Sequence, residues 1–375
     1  MVKVSIETTF PSAESQVRET DWSGNIAYLI YAYHAQGFWQ SVIKESADMK
    51  VLIINRQQVK ELLPMRDCMK VLVNTFRAYS RGEAVQPLRT MMKVPDSGGI
   101  LTPMPGYDGA SKALAVKLIT VFHNEGESKF DSHQGVVVLF SAKHGNPLAI
   151  MDAIEITAIR TAAASGVATE ALAREEAAIL TILGSGVQAR SHFTAMTEAR
   201  NIQSVRIWSQ TRENAQKLAE ELSDQPLVKI TVSESAQTAV TGAHIVCTVT
   251  SATEPILEGS WLSPGTHINA VGSSMAKRRE LDSEAVINSK LYVDSRESAT
   301  NEAGDFLIPF SEGAISHDHI LGEIGEVLEG TADGRQSVGE ITLFKSLGMA
   351  VEDVAAAQYI YSQAQEKGAG VWVDM

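Results

Sequence analysis

Residues 179–196 read ILTILGSGVQARSHFTAM, an apolar β-branched run that stops at a glycine turn and passes into a segment of helical composition. Gly184, Gly186 and Ala189 stand in a G-x-G-x-x-A arrangement, with Ser185, Val187 and Gln188 on the same loop. The first glycine permits a tight turn, and the second lets the backbone approach a pyrophosphate. The start of the following helix supplies unpaired N–H donors. A lone match of this kind is weak. Here a strand precedes it, a helix follows it and a second strand, SVRIWS, lies at the expected distance, so the stretch reads as a dinucleotide-binding turn. Around it AAILTIL, SVRIWS, VKITV, HIVCTVT, THINAVG and KLYVD alternate with helical segments such as TRENAQKLAEEL. That rhythm predicts an α/β fold with a parallel, doubly wound sheet of Rossmann type.

The end of the second strand selects the cofactor, because an Asp or Glu there would bond a ribose 2′-hydroxyl. The stretch WSQTREN instead offers Ser209, Gln210, Thr211 and Arg212, hydroxyl and cationic groups suited to a 2′-phosphate. NADPH is expected over NADH. Arg212 taken alone reads equally as a solvated first-turn residue. Thr250 and Ser251, at the end of the fourth strand, are placed to line the nicotinamide side of the cleft.

Upstream, KVLIIN, RTMMKV, GGILTPMPGY, ALAVKLITVF, GVVVLF and PLAIMD are strand-like runs separated by turn residues, which predicts a largely antiparallel sheet in an α+β domain. Within SKALAVKLITVF (111–122), Lys117 sits among apolar and β-branched neighbours. A lysine there is costly unless it meets an anion. The closing TLFKSLGMAVEDVAAAQYIYSQAQEKG reads as one long amphipathic helix returning to the first domain. The expected organisation is an extension over 1–48 with aromatic residues between Trp22 and Trp39, a first domain over 49–162, the Rossmann domain over 163–336 and the C-terminal helix over 337–375.

A formal net charge of −13 argues against a nucleic-acid partner. The apolar stretch IAYLIYAYHAQGFW is too short to span a bilayer, and the N-terminus lacks the layout of a signal peptide. Two distant cysteines, Cys68 and Cys247, indicate neither a disulfide framework nor a thiolate metal site. A soluble cytoplasmic protein is expected. The close histidine pair in HDH (317–319) has no third ligand nearby and reads as a polar turn, so no metal is expected.

The stretches QPLRT, AVKLIT, SHQ, AIRTAAAS, LGSGVQA, TVTSATEPIL, HINAVGSS, RELD and TLFKSLGMAVEDVAAA together resemble, in order and from Met49 onward, the ornithine cyclodeaminase/mu-crystallin family, and within it the branch of NADPH-dependent ketimine reductases. The resemblance implies a substrate and dimerisation domain, a homodimer and a cyclic imino acid substrate. It implies that Lys117, Arg89 and Arg160 face the substrate carboxylate. Arg has a planar fork suited to that role, although Arg89 also reads as a surface residue and Arg160 as a helix salt bridge. The resemblance also sets Arg160, Thr161, Val271, Ser132 and His133, and the KSLG turn at 345–348, near the cofactor. Ser274 stands where cyclodeaminases carry an aspartate. Deaminative cyclisation needs a carboxylate for the substrate ammonium group, so ring reduction is expected instead, with Lys117, Arg89 and Ser274 as catalytic residues. Gln210 replaces an arginine found in many relatives. Alternatives are an alanine dehydrogenase, an ornithine cyclodeaminase-type activity, or an NADPH-regulated protein that binds thyroid hormone or another small ligand.

Overall fold

The computed structural model describes residues 49–95, 97–122, 130, 132–223 and 228–375. The extension expected over 1–48, with its aromatic patch, lies outside the described residues. Lys50–Val373 form one compact unit built on two sheets.

The first sheet has the order β15-β1-β6-β5-β4-β3-β2. Its strands are β1 (Lys50–Ile54), β2 (Met92–Lys93), β3 (Ile100–Asp108), β4 (Ala113–Val121), β5 (His133–Phe140), β6 (Pro147–Asp152) and β15 (Val371–Asp374). The pairs from β2 through β6 are antiparallel, as their turn-punctuated sequence implies, and β1 joins β6 in parallel. One face is buried: Ala113, Ala115 and Lys117 of β4, Val137 and Leu139 of β5, Ala149 and Met151 of β6. The alternating residues Leu114, Val136, Val138 and Ile150 face the other side and are partly exposed.

The second sheet comprises β7 (Ile179–Leu183), β8 (Ser204–Trp208), β9 (Lys229–Val232), β10 (Ile245–Thr248), β11 (His267–Ala270), β12 (Lys290–Val293), β13 (Ile320–Glu323) and β14 (Thr342–Lys345). Their order is β13-β12-β14-β11-β10-β7-β8-β9, every pair parallel. From β7 the chain runs outward through β8 and β9, then returns to β10 on β7's other side. That reversal opens a crevice at the carboxyl ends of β7 and β10, where α/β sheets bind ligands.

The five longest helices among the described residues are α1 (Met65–Ser80), α2 (Ala153–Leu172), α3 (Val187–Ala199), α4 (Arg212–Leu222) and α5 (Ala350–Lys367). Asp152 starts α2 by accepting a hydrogen bond from the Glu155 N–H. This helix packs on α1 and α5, on β5 of the first sheet and on β11 and β14 of the second. A helix wedged between two sheets has no solvent side, which accounts for its run of Ala, Ile, Gly and Val without a polar face.

The C-terminal expectation needs correction. Thr342–Lys345 is not the first turn of a long helix but a fully buried strand between β11 and β12. The chain then turns through Ser346–Met349, where Gly348 has φ +81°, and α5 begins only at Ala350. The Rossmann sheet therefore reaches past residue 336. A four-residue strand is too short for its periodicity to separate it from a helix start.

Candidate functional site

The buried face of β4 brings Lys117, at 2% exposure, against α2 and α5. Its Nζ lies 2.7 Å from Asp353 Oδ2 and 3.5 Å from Thr157 Oγ1. Arg160, three residues beyond Thr157 on α2, donates from Nε to Asp353 Oδ1 at 3.0 Å and from Nη1 to Glu352 Oε2 at 2.8 Å. A Cβ on Gly348 would run into the Arg160 guanidinium, so the turn before α5 requires glycine both for space and for its left-handed backbone. Burial pushes the Lys117 ammonium down to about 8, with repulsion from Arg160 adding to it and Asp353 opposing. Burial also pushes the Glu352 carboxyl up to about 7 against the pull of Arg160. Burial works against the charge of Arg160 too, but Asp353 and Glu352 more than offset it and raise its pKa.

The anion that the apolar surroundings of Lys117 demand is thus supplied by the chain itself, through Asp353, and not by a substrate alone. Arg160 makes a salt bridge between helices, from α2 to Glu352 and Asp353 of α5. Arg89 is no plain surface residue. It is largely buried, its Nε lies 2.8 Å from Glu302 Oε2, and its Nη2 donates to the carbonyls of Leu347 at 2.8 Å and Gly348 at 3.2 Å. Arg89 and Arg160 both meet the Ser346–Ala350 turn, and Lys117 shares Asp353, in the first turn of α5, with Arg160. Asp294 fixes that turn from beneath by accepting from the N–H groups of Leu347 (2.6 Å) and Gly348 (2.7 Å).

The Rossmann crevice meets this cluster at Thr157, whose side chain faces Lys117 and whose carbonyl accepts from Gln188 Nε2 at 3.5 Å. Gly184 has φ +130° and lies so close to the Val249 carbonyl that no Cβ would fit. Gly186 is different: a Cβ there would meet nothing within 4 Å. It opens the 13-residue helix α3, and among the described residues no side chain caps that first turn. An uncapped helix start after a glycine turn suits a pyrophosphate. Ser185 Oγ bonds Ser209 Oγ at 3.0 Å, and Ala189 is buried behind the turn. Gln210, Thr211 and Arg212 are exposed at the end of β8 and the start of α4. No acidic side chain stands at the position that would bond a 2′-hydroxyl. The residues therefore fit a nicotinamide dinucleotide.

On the far side of the crevice, buried Glu280 accepts from Thr250 N at 2.7 Å, Thr250 Oγ1 at 2.6 Å and Gly272 N at 2.7 Å. Asp305 accepts from Glu280 N at 2.8 Å and pairs with Lys345 Nζ at 2.8 Å. Lys345 in turn donates to the Ser273 carbonyl at 2.6 Å. These contacts fix the two turns that carry Thr250, exposed Ser251, and half-buried Val271 and Ser274. Thr161 is buried beside Arg160 on α2. Ser132 and His133 are exposed at the start of β5. His133 pairs with Val121, four residues along β4 from Lys117, roughly 13 Å at strand spacing. The structure does not bring this pair into the Lys117 cluster.

Sequence reasoning missed Glu352, Asp353, Glu302 and Asp294. The signal for the first two was present: adjacent acids inside MAVEDVAAA are as anomalous in an apolar run as Lys117 is in its strand.

Residues 49–368 match the ornithine cyclodeaminase/mu-crystallin family model. The ketimine reductase mu-crystallin of Mus musculus is 45% identical over 293 residues, covering 78% of this chain and 90% of the relative. The structure of Thermococcus litoralis Δ1-pyrroline-2-carboxylate reductase in complex with NADH and L-proline is similar with a TM-score of 0.83 at 41% identity, covering 86% of this chain and 99% of the other. An archaeal alanine dehydrogenase dimer with bound NAD is similar with a TM-score of 0.82 at 30% identity, covering 87% and 99%.

Proposed function

The chain belongs to the ornithine cyclodeaminase/mu-crystallin family, and on that premise we propose that it reduces cyclic ketimine carboxylates to saturated cyclic imino acids. The observation that carries this reading is the cluster in which Lys117 and Arg160 share Asp353 beside the turn that Arg89 holds, joined through Thr157 and Gln188 to the glycine turn of a dinucleotide fold. A bound nicotinamide supplies the hydride. Ser185, Gly186 and Gln188 would hold its pyrophosphate, and Thr250 and Val271 would stand beside the nicotinamide.

Arg89 and Lys117 bind the substrate carboxylate and orient the imine carbon. Asp353 and Glu352 keep Arg160 and Lys117 in place. The Ser274 hydroxyl bonds near the ring nitrogen without fixing a negative charge there, which favours imine reduction over deaminative cyclisation. Lys117, with its ammonium pushed down to about 8, gives up a proton near neutral pH more readily than an exposed lysine. NADPH is the preferred donor, supported by Arg212 and the absence of an acidic residue at the end of β8. The apolar outer face of the first sheet supports a homodimer. Two buried, unpaired cysteines support a reducing cytoplasmic setting. Among the described residues no helix is long and apolar enough to cross a membrane.

The test is NADPH oxidation against a panel of cyclic ketimine carboxylates and pyruvate with ammonia, with ammonia release measured for ornithine in the presence of the oxidised cofactor. The cyclic ketimines are expected to give the highest kcat/KM. Faster turnover of pyruvate with ammonia would assign an alanine dehydrogenase instead.

A further inference from the structure

The three cations of the site are already matched from within the chain. Lys117, Arg160 and Arg89 face Asp353, Glu352, Glu302 and Asp294. A substrate carboxylate entering this largely buried cluster adds an anion where no net positive charge awaits it, and in low dielectric such an excess is expensive. Resting on the ketimine reading, we propose that substrate carboxylate binding is coupled to the uptake of one proton from solvent by Glu352.

Geometry singles out this residue. Asp353 has Oδ1 on Arg160 and Oδ2 on Lys117. Asp294 accepts three backbone N–H bonds, from Ser295, Leu347 and Gly348. Glu302 keeps 15% of its side chain in solvent. Glu352 is fully buried, and only its Oε2 is engaged, by Arg160 Nη1 at 2.8 Å. Its Oε1 has no hydrogen-bond partner among the described residues. A proton on Oε1 therefore neutralises the carboxyl and leaves the Arg160 contact intact. The groups that face it are Arg160 on α2, Lys117 on β4, Asp294 after β12, Asp353 on its own helix, and the Cys68 thiol of α1, which burial holds in its neutral form. Burial already holds the Glu352 carboxyl near 7, so the step costs little at neutral pH. It is a protonation only: one O–H bond forms, water or buffer gives the proton, and no electrons transfer.

The probe is pyrrole-2-carboxylate, whose ring nitrogen is not basic, titrated into the enzyme loaded with oxidised cofactor. Calorimetry in two buffers of different ionisation enthalpy counts protons. Near pH 7.5 the natural enzyme is expected to take up roughly half a proton or more per ligand, and Glu352→Gln less than about half of that. In the natural enzyme, an infrared difference spectrum is expected to gain the C=O band of a protonated carboxyl on binding, a readout independent of any variant. Binding without proton uptake, or unchanged uptake in Glu352→Gln, overturns the inference and leaves the ketimine reading standing. No binding of the probe overturns that reading and the inference with it.

Discussion

Lys117 and Arg160, at 2% and 4% exposure, would each be costly to bury alone, and Asp353 touches both. Lys117→Met is therefore expected to leave Asp353 under-compensated and to lower stability by about 3 kcal/mol. Asp353→Asn should also destabilise, and the double variant should lose clearly less than the two single losses together, by on the order of 1–3 kcal/mol. Denaturant unfolding of the four proteins measures this, and additive losses would contradict the pairing. Every variant lacking Lys117 should lose most of its turnover. Loss of stability with near-normal turnover would reduce Lys117 to a structural ion pair. The pH dependence follows from Glu352. Its folded carboxyl, held up to about 7 from an ordinary 4.5, keeps a proton that the unfolded chain has released, so its contribution to stability falls as pH rises through that window. Lys117, depressed to about 8 from 10.5, acts in the opposite sense at higher pH, adding stability as pH rises between those values. Glu352→Gln removes the first effect. Its stability relative to the natural protein is expected to improve from about pH 5 to about pH 7 and then level off; a difference constant over that range would refute the assignment.

At the scale of elements, the β7–turn–α3 unit stands where its glycines indicated, as Ile179–Leu183 and Val187–Ala199. Gly184, Gly186 and the alternation around them carry that information locally. The return from β14 to α5 was not legible, because TLFK has the composition of either element and only its pairing with β11 and β12 decides. The partners of the cations were hidden for a related reason. An ion pair between residues 117 and 353 leaves only two anomalies in the sequence, a cation in an apolar strand and an acid in an apolar helix, and nothing local connects them. Just past the end of β8, Arg212 opens α4. The natural enzyme is expected to use NADPH at lower concentration than NADH. Arg212→Glu should raise the NADPH KM by roughly tenfold or more, as removal of a charged hydrogen bond worth about 1.5–3 kcal/mol implies. Equal use of the two cofactors by the natural enzyme would refute the preference.

On the scale of the whole molecule, α2 ties the two sheets together and lets Thr157 face the Lys117 cluster with its side chain and the dinucleotide turn with its carbonyl. The other face of the first sheet presents Leu114 and Val136, each 37% exposed, among partly exposed Val138 and Ile150. Light scattering is expected to show a two-chain particle, and Val136→Lys to shift it toward single chains; an unchanged mass would place any dimer contact elsewhere. The substrate carboxylate is the group that Lys117 and Arg89 are expected to recognise. The direct measurement compares kcat/KM for Δ1-pyrroline-2-carboxylate with that for 1-pyrroline, the same ring without the carboxylate, using the natural enzyme and NADPH. Losing charge-assisted hydrogen bonds of about 1.5–3 kcal/mol each should cost the bare ring on the order of a hundredfold or more. Equal reduction of the two rings would contradict the assignment of Lys117 and Arg89 as the carboxylate clamp.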